Sequence, residues 1–214
     1  MIELGARPLT LDDVAQVARE NRGVRLAGAA RERMRASRAV VERAVAADRV
    51  IYGVTTGFGE LKDRHIPAEQ VRELQLNLLR SHAAGVGRFA PLDVARAMLL
   101  LRAVSLAHGH SGCRPEVVEA LVALLEGRVT PVVPLQGSVG ASGDLAPLAH
   151  LALVLVGEGE AWLGDQRMPG ALALRGAGLQ PLTLEAKEGK LLKYGQAFTP
   201  ETQSVVTFAS LAFY

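Results

Sequence analysis

The sequence predicts a mainly α-helical fold with small β elements. Three observations carry this expectation. Apolar residues recur at helical spacing through most of the chain, as at Ala30, Met34, Val41 and Val45. Pro67, Pro91 and Pro115 stand at the heads of such segments, where a residue without an N–H costs little. Strand-like stretches are confined to the N-terminus and the neighbourhood of Trp162. At 214 residues the chain can bury roughly 70% of its unfolded surface, which fits one large domain or one and a part.

In order along the chain, Ile2-Glu3-Leu4 is a short strand candidate. Thr10 followed by Asp12-Asp13 and then Val14, Val17 and Ala18 reads as a capped helix start. A long amphipathic helix spans 27–50 and is broken at 51–59 by Gly53, Gly57 and Gly59. The helix headed by Pro67 carries Val71, Leu74, Leu78 and Leu79 and runs to about Ser81. The helix over 92–108 contains Met98-Leu99-Leu100-Leu101 and is apolar around much of its circumference, so it belongs inside the fold or at a subunit contact. Pro115 opens a helix to about Leu125; Pro131 and Pro134 then make 129–135 an extended connector. Residues 137–143 form a loop, 145–157 a helix, and Trp162 to Pro169 a hairpin turning at Gly164-Asp165. Helical composition returns at 171–176 and from Glu185.

Composition narrows the function classes. The formal net charge is only +2, and the arginines between 25 and 43 are interleaved with apolar residues. That pattern describes a solvated helix face, so no nucleic-acid partner is expected. Cys113 is the single cysteine, which rules out an internal disulfide framework and fits a reducing compartment. The start of the chain has no signal-peptide pattern, and the most apolar stretch, 145–156, is too short for a bilayer. A soluble cytoplasmic protein without a membrane partner is expected. His108-Gly109-His110 lacks the Cys, Asp or Glu companions of a metal site and reads as a helix C-terminus; His150 reads as a helix-face residue, His65 as exposed, and no metal is expected.

The loop Gly137-Ser138-Val139-Gly140-Ala141-Ser142-Gly143-Asp144-Leu145 holds unusual chemistry. Gly143 has no side chain to shield its amide nitrogen, Ala141 offers an unhindered carbonyl, and Ser142 carries a β-hydroxyl that can be eliminated. Attack of the Gly143 nitrogen on the Ala141 carbonyl carbon would close a five-membered ring. Loss of two waters would leave an electrophilic exocyclic methylene. Composition alone favours a plainer alternative: a capped helix start, or an anion-binding loop at a helix N-terminus.

Gly140-Ala141-Ser142-Gly143-Asp144-Leu145-Ala146-Pro147-Leu148 resembles the signature of the aromatic amino-acid ammonia-lyase and aminomutase family. Two further segments agree in order and separation: Tyr52-Gly53-Val54-Thr55-Thr56-Gly57-Phe58-Gly59, and Leu74-Gln75-Leu76-Asn77-Leu78-Leu79-Arg80-Ser81-His82-Ala83-Ala84-Gly85-Val86-Gly87. The resemblance covers about residues 2–189. It implies that Ala141-Ser142-Gly143 becomes a methylidene-imidazolone (MIO) group, made by the polypeptide with no diffusible cofactor. It implies Tyr52 as the base taking the substrate β-proton, a mobile loop supported by Gly53 and Gly59, and a reactive loop supported by Gly140 and Asp144. Ser81 and His82 match the pair of the histidine-specific branch, with His82 recognising an imidazole. The implied reaction converts L-histidine to urocanate and ammonia, in a homo-oligomer that is a tetramer by family.

The resemblance predicts a helical MIO domain over 1–189 with the family's central helical bundle largely missing, and a divergent or truncated tail over 190–214. Tyr194 stands where the family has an active-site asparagine, and five of the eight Phe and Tyr residues fall after residue 190. A relative that keeps the fold without turnover is the alternative. Without the central helices, the apolar helix over 92–108 should expose a large apolar patch that invites self-association.

Overall fold

In the computed structural model the described residues are 1–47, 68–137 and 145–193. They form a mainly helical body with three small sheets. Strand β1 (Ile2–Leu4) leads into helix α1 (Leu11–Glu20), and β2 (Val24–Leu26) returns parallel to β1 with Ile2 opposite Val24 and Leu4 opposite Leu26. Alternation drives this pairing: Ile2, Leu4, Val24 and Leu26 point inward, while Glu3 and Arg25 point outward and form an ion pair.

The expected cap of α1 is present. Thr10 Oγ1 accepts from the Asp13 N–H at 3.1 Å, and Asp13 Oδ2 accepts from the Thr10 N–H at 3.0 Å. The two together satisfy backbone donors that the first turn leaves unpaired. Arg7 forks the same carboxylate at 2.7 and 3.0 Å and, with the Thr10 N–H, holds it well below the usual carboxylate range. Helix α2 (Gly28–Ala46) buries Ala30, Met34, Val41 and Ala44 on one stripe. Its start agrees with expectation; the segment 48–67 lies outside the described residues. Helix α3 (Ala68–His82) ends one residue beyond the expected point.

Helix α4 (Leu92–Ala107) is enclosed by this chain itself, and here the expected apolar patch is corrected. Met98, Leu99, Leu100 and Ala103 are at most 1% exposed, because α1 and α5 (Pro115–Glu126) pack against it. Helix α5 follows α4 directly and α1 comes from the start of the chain, so α4 does not wait for further helices. Arg96 of α4 is buried too. Its Nη2 and Nε donate to the carbonyls of Val17 and Ala18 at 2.9 and 3.1 Å, and its Nη1 to that of Leu125 at 3.3 Å. One guanidinium thereby caps the carbonyl ends of both α1 and α5.

The connector of 129–135 resolves into two strands, β4 (Val129–Pro131) and β5 (Pro134–Gln136). β5 pairs antiparallel with β3 (Val86–Phe89), which the helical periodicity did not reveal. β4 joins the hairpin of β6 (Glu160–Leu163) and β7 (Gln166–Pro169) in the order β4-β6-β7, with Thr130 opposite Trp162. The hairpin turns at Gly164-Asp165 as expected. Arg167 of β7 lies over the Phe89 ring at 4.3 Å and ties the two sheets together.

Helix α6 (Leu145–Leu155) runs through the middle, packed by α3, α7 (Gly170–Gly176) and α8 (Glu188–Lys193). Cys113 is buried, as expected of an unpaired thiol, and burial raises its pKa. Among the described residues no helix is long and apolar enough to cross a membrane, and no cluster of His, Cys, Asp and Glu could hold a metal ion.

Candidate active site

The sequence of α6, Leu-Ala-Pro-Leu-Ala-His-Leu-Ala-Leu-Val-Leu, explains its place in the fold. Leucine and alanine are strong helix formers, and Pro147 sits in the first turn, where it disrupts no internal hydrogen bond. Ala146 to Ala149 and Leu151 to Leu155 are all buried. Such a helix is a rigid rail, and its first residue, Leu145, follows Asp144 directly. Residues 138–144 therefore lead directly into a helix that is almost wholly buried.

Helix α3 delivers Ser81 and His82 at its C-terminal end. Ser81 Oγ donates to the Leu78 carbonyl at 3.0 Å; His82 Nδ1 lies 3.0 Å from that carbonyl and 2.9 Å from Ser81 Oγ. A carbonyl can only accept, so Nδ1 is the donor in this contact. The half-buried His82 is thus held against the last turn of its own helix.

Two contacts set α3 against α6 and the segment that follows it. Arg80 grips Glu158 through both nitrogens of its fork, with Nε donating at 2.9 Å, and the pair lowers the Glu158 pKa. Three residues past His82, the Gly85 N–H donates to Nε2 of His150 at 2.9 Å. Gly85 has no room for a side chain: an added Cβ would stand 2.9 Å from that nitrogen and 3.1 Å from Pro134 Cβ. Gly137, with φ of +130°, lies on its other side, where an added Cβ would be 2.8 Å from Gly85 Cα. Gly137 and α6, which flank residues 138–144 in sequence, therefore meet at the same glycine.

Tyr52, Gly53 and Gly59 lie outside the described residues, as do Gly140, Ala141, Ser142, Gly143 and Asp144. Of the expected site residues, Ser81 and His82 are placed. His150 was read as a helix-face residue; its bond to Gly85 was not. A signal was present, since His150 is the one polar residue in α6 and a polar group in such a helix needs a partner.

A sheet-trimmed helical body that presents this pair beside a buried helix places the molecule in a known class. The family model described as aromatic amino acid lyase matches residues 9–211, and the chain belongs to that family. Among individual proteins, it is 57% identical over 187 residues to the histidine ammonia-lyase of Gloeobacter violaceus, covering 87% of this chain and 36% of that one. With the histidine ammonia-lyase of Symbiobacterium thermophilum it shares 51% over 213 residues, all of this chain and 41% of the relative. Of solved structures, histidine ammonia-lyase from Trypanosoma cruzi superposes with a TM-score of 0.82 at 38% identity, covering 90% of this chain and 37% of that one. The ergothionase of Treponema denticola gives 0.85 at 32% identity, over 90% and 38%. The chain thus spans about two fifths of the length of these relatives.

Proposed function

We propose that this chain supplies the electrophile-bearing and substrate-recognising part of a histidine ammonia-lyase, which converts L-histidine to urocanate and ammonia. The observation that carries the reading is the setting of His82. Helix α3 carries it beside Ser81 at its C-terminal end, with Nδ1 held 3.0 Å from the Leu78 carbonyl, and an imidazole ring there can exchange hydrogen bonds with a substrate imidazole. The similarity to histidine ammonia-lyases supports the same substrate.

Ala141-Ser142-Gly143 fits the MIO group by its chemistry: an open carbonyl, a losable hydroxyl and an unshielded amide nitrogen. The group supplies an electrophile that makes the substrate's amino nitrogen a better leaving group. Gly140 and Asp144 shape that loop, and α6 fixes its downstream end. Tyr52 takes the β-proton; nearby positive charge or hydrogen bonds must bring its phenol down from an ordinary pKa of about 10. Gly53 and Gly59 let the loop around Tyr52 close over the substrate. Ser81 and His82 bind the imidazole. The functional unit is residues 1–189, with 190–214 as a divergent tail, in a homotetrameric, cytoplasmic enzyme that needs no metal.

Tyr194 at the position of the family's asparagine favours a second reading, a relative that keeps the fold without turnover. One experiment separates the two. The protein should be lighter by two waters than its sequence and should release urocanate, followed by ultraviolet absorbance. Ser142→Ala should restore the full mass and abolish release. Full mass in the unaltered protein refutes the electrophile; the mass loss without urocanate selects the second reading.

A further inference from the structure

We infer that His150 is a positioning residue for this reaction: by accepting the Gly85 N–H it sets the Ser81-His82 recognition pair against the helix that follows the reactive loop. The inference rests on the function proposed above and concerns a residue on the opposite element from the recognition pair.

The physical case begins with α6. A polar ring inside an otherwise apolar, buried helix loses water and regains the loss only through a partner. The Gly85 N–H is that partner at 2.9 Å. The bond joins residues 65 apart in sequence, so it contributes to no local structure; its effect is to fix one segment relative to another. Its geometry also assigns the ring: Nε2 accepts, so the neutral imidazole carries its proton on Nδ1. Burial lowers the His150 pKa, which favours the neutral form that the bond requires.

Gly85 is three residues from His82, and the intervening chain has little slack. On one side Gly85 is stopped by His150 and Pro134, on the other by Gly137. The β3–β5 pairing immediately follows, with Val86 opposite Gln136. Arg80 and Glu158 hold the turn just before the pair to the stretch just after α6. The recognition pair is therefore suspended between two attachments to α6 and its C-terminal extension. The Arg80–Glu158 attachment is partly exposed and so open to screening by salt. The His150 attachment is half-buried and directional, so it governs the spacing.

The test compares His150→Leu with His150→Gln in the complete protein. Leucine removes the acceptor; the glutamine amide oxygen can take the Gly85 N–H from nearly the same place. For His150→Leu, kcat/KM for L-histidine should fall by on the order of ten- to a hundredfold with KM raised, since a misplacement of about 1 Å costs as much. The mass signature of the ring should persist. His150→Gln should recover most of the loss. Wild-type kinetics in His150→Leu, or equal impairment in both variants, overturns the inference. If His150→Leu does not fold, nitrogen-15 spectra of the unaltered protein decide: a protonated Nδ1 supports it and a protonated Nε2 overturns it. Absence of both mass loss and urocanate in the unaltered protein overturns the underlying reading, and the inference with it.

Discussion

Replacing Glu188 by alanine should be among the most damaging single changes outside the candidate site. The side chain is fully buried. Oε1 accepts from the Arg114 N–H and Nε–H at 3.2 and 2.8 Å, and Oε2 from Arg114 Nη2 and the Glu185 N–H at 2.7 and 2.8 Å. Arg38 approaches within 3.9 Å while donating to the Ala186 carbonyl at 3.0 Å. One carboxylate thus joins α2, the head of α5 and the head of α8. Hydrogen bonds to charged groups contribute about 1.5–3 kcal/mol each, but four cannot be summed. Arg114 keeps a quarter of its side-chain exposure, so water recovers part of the loss. Breaking a buried ion pair by removing one partner costs about 3–5 kcal/mol, and that is the expected range for Glu188→Ala. At about 2–4 °C per kcal/mol for a chain of this size, the melting point falls on the order of 10 °C. Urea unfolding followed by far-ultraviolet circular dichroism measures it, and Glu188→Gln, which keeps acceptor capacity without charge, should fall between. A loss below about 1 kcal/mol for Glu188→Ala would refute the placement of this network at the centre of α8 docking.

Two further outcomes follow from the structure. Asp13 has a folded pKa below its unfolded value, first through Arg7 and then through the Thr10 N–H, so its contribution is fully present above about pH 4 and fades as pH falls toward the folded value. Asp13→Asn should flatten the acid limb of a melting-point profile between about pH 6 and pH 3; parallel limbs in the two proteins would remove Asp13 as its source. Gly189→Ala sets two effects against each other. Alanine is the better helix former by about 1 kcal/mol, yet its Cβ would lie 2.4 Å from the Gln75 carbonyl oxygen, a backbone atom of α3 that cannot swing aside. The clash should win by about 1–3 kcal/mol net destabilisation in denaturant titration, and a stabilised variant would show that α8 sits farther from α3.

Local chemistry made much of this protein readable from its residues. Helical spacing and the three prolines located α3, α4 and α5; Thr10 and Asp13 announced the cap of α1; Gly164-Asp165 announced the hairpin. The motifs around Tyr52, Ser81-His82 and Ala141-Ser142-Gly143 pointed to the family that the comparisons show. These signals lie within a few residues of one another, so a reading along the chain finds them. Strands β2 and β3 escaped because segments of three or four residues have no period to detect, and their pairing depends on partners elsewhere. The same reason hid Arg96, whose partners are 29 to 79 residues away, and Glu188, whose guanidinium partner Arg114 is 74 away. The covering of α4 and the hold of His150 on Gly85 were likewise decided only in three dimensions. Hydrophobic burial places elements without direction, and the polar group each then meets is set by where the packed elements bring the chain together.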